Sequence, residues 1–244
     1  MIALNAQTAA PLRNDLSIEA EVRQMFGPRV AVSVTDPRNP KAPLWPAEAV
    51  AMTRATSARK SEFASGRAAA RHAMQSLGHA PQAVPCGADR APVWPRGLTG
   101  SISHTTGVCI AIVGETGSLR SVGVDVEDDS PLDDDLIPSV CTLAERAWLA
   151  IQPEAMRGNL AKLIFSAKEC AYKCQFAVTG TLFDFDTLEI TPDIDTGQFE
   201  ATFTRDIAPF EAGTCFHGRF TVCQGVIVTA MVLARSPRWT MQGQ

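Results

Sequence analysis

The chain has one tyrosine and four histidines among 244 residues, and aromatics make up only 7% of it. That scarcity, with few basic residues and no recognised nucleic-acid module, argues against nucleic acid as a partner. No apolar run approaches the roughly 20 residues that span a bilayer. The opening stretch MIALNAQTAAPLRNDLSIEAEV has no cationic start leading into a long apolar block. Neither a membrane span nor a secretory leader is expected, and a cytoplasmic location is. Cysteines number seven (86, 109, 141, 170, 174, 215 and 223), with no CxxC pair and no zinc-like histidine spacing. Reduced structural thiols are expected. Cys170 and Cys174 share a helical face, where they read as small core residues rather than a soft-metal site.

The sequence does have enough apolar content for a sizeable core: 45% of residues are hydrophobic and 20% charged. Its length suits one large domain or two small ones. The net charge of −4 conceals a division, because residues 1–120 hold 13 Lys and Arg against 8 Asp and Glu, whereas residues 121–244 hold 9 against 18. A basic first half suits anions, an acidic second half suits cations.

Proline-rich stretches at 36–47 and 81–97 read as loops or extended connectors. Between them TRATSARKSEFASGRAAARHAMQSLG is alanine-rich and ends at Gly78, a helix with its stop signal. GSISHTTGVCIAIVGE and LRSVGVDVE read as two strands joined by a turn around 114–118. Helices are expected in TLAERAWLAI, where Thr142 and Glu145 form a capping box, and in NLAKLIFSAKECAYKCQF. Strands are expected in DTLEITPD, GQFEATFT, CFHGRFTV and GVIVTAMVLA. A weak internal repeat links the halves: Phe63, Gly66, Arg67 and Arg71 share offsets with Phe165, Lys168, Glu169 and Lys173, and GVCIAIV parallels GVIVTAMV. Two similar lobes would follow, although two amphipathic helices can match by chance.

Three groups of residues carry chemistry. In SVGVDVEDD (121–129) the strand period sets Val122, Val124 and Val126 on one face and Asp125 and Glu127 on the other. An edge strand with one solvated face explains this as simply as two carboxylates sharing a hard cation does. In IFSAKECAYK, Phe165, Glu169 and Lys173 follow one helical face, which is also the pattern of an exposed Glu–Lys pair. In SISH, Ser101 and Ser103 alternate with Ile102 at the start of an apolar strand, and His104 lies at the same strand end beside a flexible Thr-Thr-Gly, downstream of Arg59, Lys60, Arg67, Arg71 and Arg90. Clustered guanidinium groups suit phosphate, and they also suit a solvated helix face.

GSISH, GVDVE and FSAKECAYK, in that order and at this separation, resemble the 4′-phosphopantetheinyl transferases of the enterobactin synthetase component D group and the actinobacterial carrier-protein activators. RKSEFASGRAAARHAM, PVWPRGLTGSISH and GRFTVCQGVIVTAMVL add to the likeness, which runs from about residue 53 to residue 235. The resemblance implies an α+β fold of two pseudo-symmetric α/β lobes, residues 1–117 and 118–244, acting as a monomer with the active site in the cleft between them. It implies transfer of the 4′-phosphopantetheine arm of coenzyme A to a serine of an apo acyl, peptidyl or aryl carrier protein. Adenosine 3′,5′-bisphosphate is released, with Mg²⁺ (Mn²⁺ as the alternative ion) as cofactor. By motif position, Asp125, Glu127 and Glu169 are similar to the metal-binding acids, and Lys173 to the lysine at the transferring phosphate with Lys168 as its neighbour. Arg59, Arg67 and His104 resemble the grip on the 3′-phosphate, and Ser103 and Arg90 further nucleotide contacts. Phe165 stands where the family often has Trp. Glu169 is the expected general base, with Glu127 acting through water as its competitor. A metal-dependent CoA or nucleotide hydrolase would use the same acids and basic grip, and a non-catalytic CoA-binding module is the third class.

Overall fold

The computed structural model describes residues 14–40 and 42–235, so the reading of residues 1–13 as free of a leader lies outside it. Helix α1 (Asp15–Gln24) and strand β1 (Val30–Thr35) precede the short helix α2 (Pro46–Ala49) and the long helix α3 (Ser57–Ser76). Strands β2 (Leu98–His104), β3 (Cys109–Glu115) and β4 (Leu119–Asp128) come next, followed by helices α4 (Ile137–Val140), α5 (Leu143–Ala150) and α6 (Glu154–Thr179). Strands β5 (Leu188–Asp193), β6 (Gln198–Phe203), β7 (Cys215–Cys223) and β8 (Val226–Ala234) complete the described residues. None of the described helices is long and apolar enough to cross a membrane.

The strands form two antiparallel sheets, one ordered β1-β3-β2 and the other β4-β8-β7-β6-β5. Small residues let α3 lie close on the first: Ala69, Ala70 and Ala73, with the larger Met74 beside them, pack with Ala31, Ala111 and Val113. The other face of that sheet presents Val32, Ile110 and Ile112 to Val122, Val124 and Val126 of β4, with Ile18 and Val22 of α1 closing the layer. Beneath the second sheet, Leu160, Leu163, Ile164 and Ala167 of α6 meet Phe199, Ala201, Phe216 and Phe220. The result is an α+β stack of helix, sheet, sheet and helix.

Local signals account for the main elements. Thr56 accepts from the Arg59 amide to cap α3, and Gly78 follows with φ +82°. Thr142 and Glu145 close the capping box of α5. One strand expectation needs correction: GSISHTTGVCIAIVGE folds as two strands, because Thr105 N–H donates to Val108 O (2.8 Å) and Gly107 N–H to Thr105 Oγ1 (3.2 Å), turning the chain between β2 and β3. Nor does β4 pair with β3. It crosses to the second sheet and pairs with β8. All seven cysteines are free, and Cys170 and Cys174 are fully buried.

Two features position the site. Gly123 has no side chain where α6 passes, and a Cβ there would stand 2.3 Å from Cys170 O. The missing atom lets α6 press against the acid-bearing face of β4. Beside β4 runs β2, an edge of the other sheet, and Ser101 Oγ both accepts from Val124 N–H (3.1 Å) and donates to Val124 O (3.4 Å). At the far edge of that sheet, Glu19 Oε2 accepts from Val34 N–H of β1 (3.1 Å).

Candidate active site

A cleft of about 1120 Å³ opens where α3 and β2 face β4 and α6. Nine of the ten residues given a role by motif position line it: Arg59, Arg67, Arg90, Ser103, His104, Asp125, Glu127, Glu169 and Lys173. Phe63, Gly66 and Arg67 of α3 stand on one wall, and Phe165, Glu169 and Lys173 of α6 on the other. The two helices that share spacing in the sequence therefore share one cavity.

The first wall is cationic. Arg67 is nearly buried, donates through Nε to Val84 O (2.9 Å) and lies 3.7 Å from the centre of the Phe63 ring. Burial draws its pKa down to about 10, so it stays charged at neutral pH. Arg59 Nη1 contacts Glu62 Oε2 (3.0 Å) and His104 Nε2 (2.7 Å). A guanidinium donates only, so Nε2 accepts and the ring is neutral with its proton on Nδ1. Burial lowers the His104 pKa, and Arg59 and Lys173 push the same way against Glu62, which keeps the ring uncharged. Arg90 reaches the cleft from a loop at φ +68°.

The second wall is acidic with one cation at its centre. Lys173 Nζ donates to Asp125 Oδ1 (2.6 Å) and Ser103 Oγ (3.0 Å), and Ser103 Oγ donates to Asp125 Oδ1 (2.7 Å). Ser166 Oγ donates to the other Asp125 oxygen at 2.8 Å. Burial alone would lower the Lys173 pKa, but Asp125 and Glu169 outweigh it and raise it. Glu169 and Glu127 are both raised, chiefly by burial, with Asp125 adding repulsion to each. Lys162 Nζ, 3.5 Å from Glu127 Oε2, opposes that shift.

Lys168 is the exception among the expected residues. It does not reach the cleft: its Nζ is buried against Glu145 Oε2 (2.7 Å), Val140 O (2.8 Å) and Phe185 O (2.9 Å). Successive helical residues are about 100° apart, so the side chain next to Glu169 emerges on the face that packs toward α4 and α5. Sequence reasoning missed Ser166, Glu62 and Lys162. Their signals were faint: Glu62 lies one turn after Arg59, and Lys162 two turns before Glu169.

The three acids suit a hard divalent ion in kind, since carboxylates are the donors Mg²⁺ accepts. They do not present one oxygen each within 4.8 Å of the other two. Asp125 instead is drawn to Lys173, Ser103 and Ser166.

Comparison with known proteins bears on the same segments. Residues 47–114 match the 4′-phosphopantetheinyl transferase N-terminal domain, and residues 121–223 match the 4′-phosphopantetheinyl transferase superfamily. The chain is 36% identical to the 4′-phosphopantetheinyl transferase Svp of Streptomyces mobaraensis over 202 residues, covering 81% of this chain and 82% of the relative. It is 33% identical to the 4′-phosphopantetheinyl transferase PptT of Mycobacterium tuberculosis, over 77% and 85% of the two chains. With enterobactin synthase component D of Salmonella typhi it shares 41% identity over 137 residues, 54% of this chain and 55% of the relative. Matches of this length on both sides of the cleft make the chain an enzyme of the 4′-phosphopantetheinyl transferase superfamily.

Proposed function

We propose that this enzyme binds coenzyme A in the cleft and passes its 4′-phosphopantetheine arm to a serine of an apo acyl, peptidyl or aryl carrier protein, releasing adenosine 3′,5′-bisphosphate. The observation that carries the reading is one cavity with guanidinium groups on one wall and carboxylates plus an ammonium on the other. Arg59, Arg67 and His104 grip the 3′-phosphate, and Arg90 and Ser103 hold the rest of the nucleotide. Asp125, Glu127 and Glu169 would hold Mg²⁺ or Mn²⁺, which supplies positive charge to the pyrophosphate. Glu169 takes the proton as the serine oxygen bonds to the β-phosphorus and the bond to the departing bisphosphate breaks. Lys173 steadies the charge that builds on the phosphoryl oxygens. The lobes divide at residues 117 and 118, and the enzyme works as a cytoplasmic monomer serving siderophore, nonribosomal peptide or polyketide assembly.

Incubation with a fluorescent CoA, Mg²⁺ and a panel of apo carrier proteins tests the activity. Label on a carrier serine supports transfer. Release of bisphosphate without any carrier would make the protein a hydrolase instead, and binding without turnover a CoA-holding module.

His104 gives a second test. Its pKa lies below the ordinary 6.5, so in the unliganded fold the ring costs stability as pH falls from 6.5 through its lowered value. A phosphate beside the ring favours the charged form, so binding takes up a proton. CoA affinity, measured by calorimetry, is expected to tighten as pH falls through this window, and the slope to disappear in His104→Gln. An unchanged slope in that variant would remove His104 from the phosphate grip.

A further inference from the structure

The face of the second sheet that turns away from α6 carries a separate group of donors. Burial alternates along β6 and β7, where Phe199, Ala201, Phe216 and Gly218 point inward while Glu200 and His217 are exposed. The ladder sets Glu200 opposite His217. Cys215 precedes His217 by two residues and so projects from the same face. His217 Nδ1 is 3.5 Å from Glu200 Oε1. One carboxylate oxygen, one sulfur and one imidazole nitrogen all lie within 4.8 Å of one another. Among the described residues this is the one group of three such side chains to converge so closely.

We propose that Glu200, Cys215 and His217 form a surface site for a thiophilic divalent ion of the zinc type, independent of the cleft. A cross-strand pair and its same-face neighbour put three donors at the corners of a triangle, which matches one face of a tetrahedron with water at the fourth position. Sulfur and imidazole favour zinc over the hard cations that carboxylates alone would take. The thiol gives its proton to solvent as the metal–sulfur bond forms. Both Glu200 and His217 are open to solvent, so an ion arrives without any opening of the fold.

Cobalt titration of the metal-free full-length protein reads the site directly, because a cysteine-bound Co²⁺ ion gives a thiolate charge-transfer band that the all-oxygen cleft acids cannot produce. The expected result is a saturable band that zinc abolishes and excess Mg²⁺ does not. It should vanish in Cys215→Ser, and cobalt affinity should weaken in His217→Ala by more than the roughly 10–100-fold typical of losing an outer-shell partner. These side chains lie on the sheet surface, and circular dichroism checks that each variant is folded. No band in the parent protein would overturn the proposal. So would a band that survives Cys215→Ser, which would belong to another thiol, or cobalt affinity unchanged in His217→Ala, which would mean adventitious binding at a cysteine only.

Discussion

Replacing Glu169 by Gln is expected to lower carrier-protein labelling by roughly 10² to 10⁴-fold, the range lost with a general base, while the protein stays folded. Glutamine keeps the shape and can neither take the serine proton nor offer a full charge to a cation. Burial raises the Glu169 pKa and so disfavours its ionised form in the folded chain. Removing that charge should leave the melting temperature at neutral pH unchanged or higher. CoA binding without a divalent ion should change little, because Arg59 and Arg67 are on the opposite wall. Labelling at the parental rate would remove Glu169 from the mechanism.

Lys168→Met is expected to be the most destabilising single change near the site. The ammonium and its partner carboxylate are each 1% exposed. Glu145 is itself committed, accepting from Thr142 N–H (2.7 Å) and Ile190 N–H (2.6 Å). Taking away the lysine strands a buried charge and leaves Val140 O and Phe185 O without their donor. Breaking a buried pair in this way costs about 3–5 kcal/mol, or roughly 6–20 °C in melting temperature for a chain of this size. The loss should be seen by calorimetry with and without CoA. Lys168→Met/Glu145→Gln should recover part of it, because the stranded charge is gone while the amide oxygen still receives one of the two backbone donors. A single variant that melts with the parent would show that the pair carries no such weight.

The contrast between these two neighbours shows what the sequence revealed. Glu169 was legible because Phe165, Glu169 and Lys173 recur at four-residue steps, and such a stripe faces one direction. Lys168 resembled part of the same cluster because it adjoins Glu169 in the chain. Its true partner is 23 residues earlier, in a capping box whose pattern explains how α5 begins and says nothing of a second role for Glu145. The valine alternation in β4 was legible for the same reason as the helical stripe, and the structure buries Val122, Val124 and Val126 completely. What alternation could not give was the destination of the other face. Asp125 is held by Ser103 of β2 and by Ser166 and Lys173 of α6, two segments far from β4 in the chain. Long-range pairings of that kind leave no periodic trace. Strand β1 was missed in a stretch that lacks the family motifs, and the Thr-Thr-Gly turn was taken as a flexible spot within a longer strand rather than as its end.

The hydroxyl of Ser101 between β2 and β4 has a consequence for how the protein keeps company. Two sheets have four borders, each a template on which a stray extended peptide can crystallise. Here β2 and β4 blunt one another through a single serine, Glu19 plugs β1 at Val34, and Pro192 in β5 offers no amide hydrogen to the outer border. An enzyme that handles other polypeptides can touch them side chain to side chain without knitting them into itself.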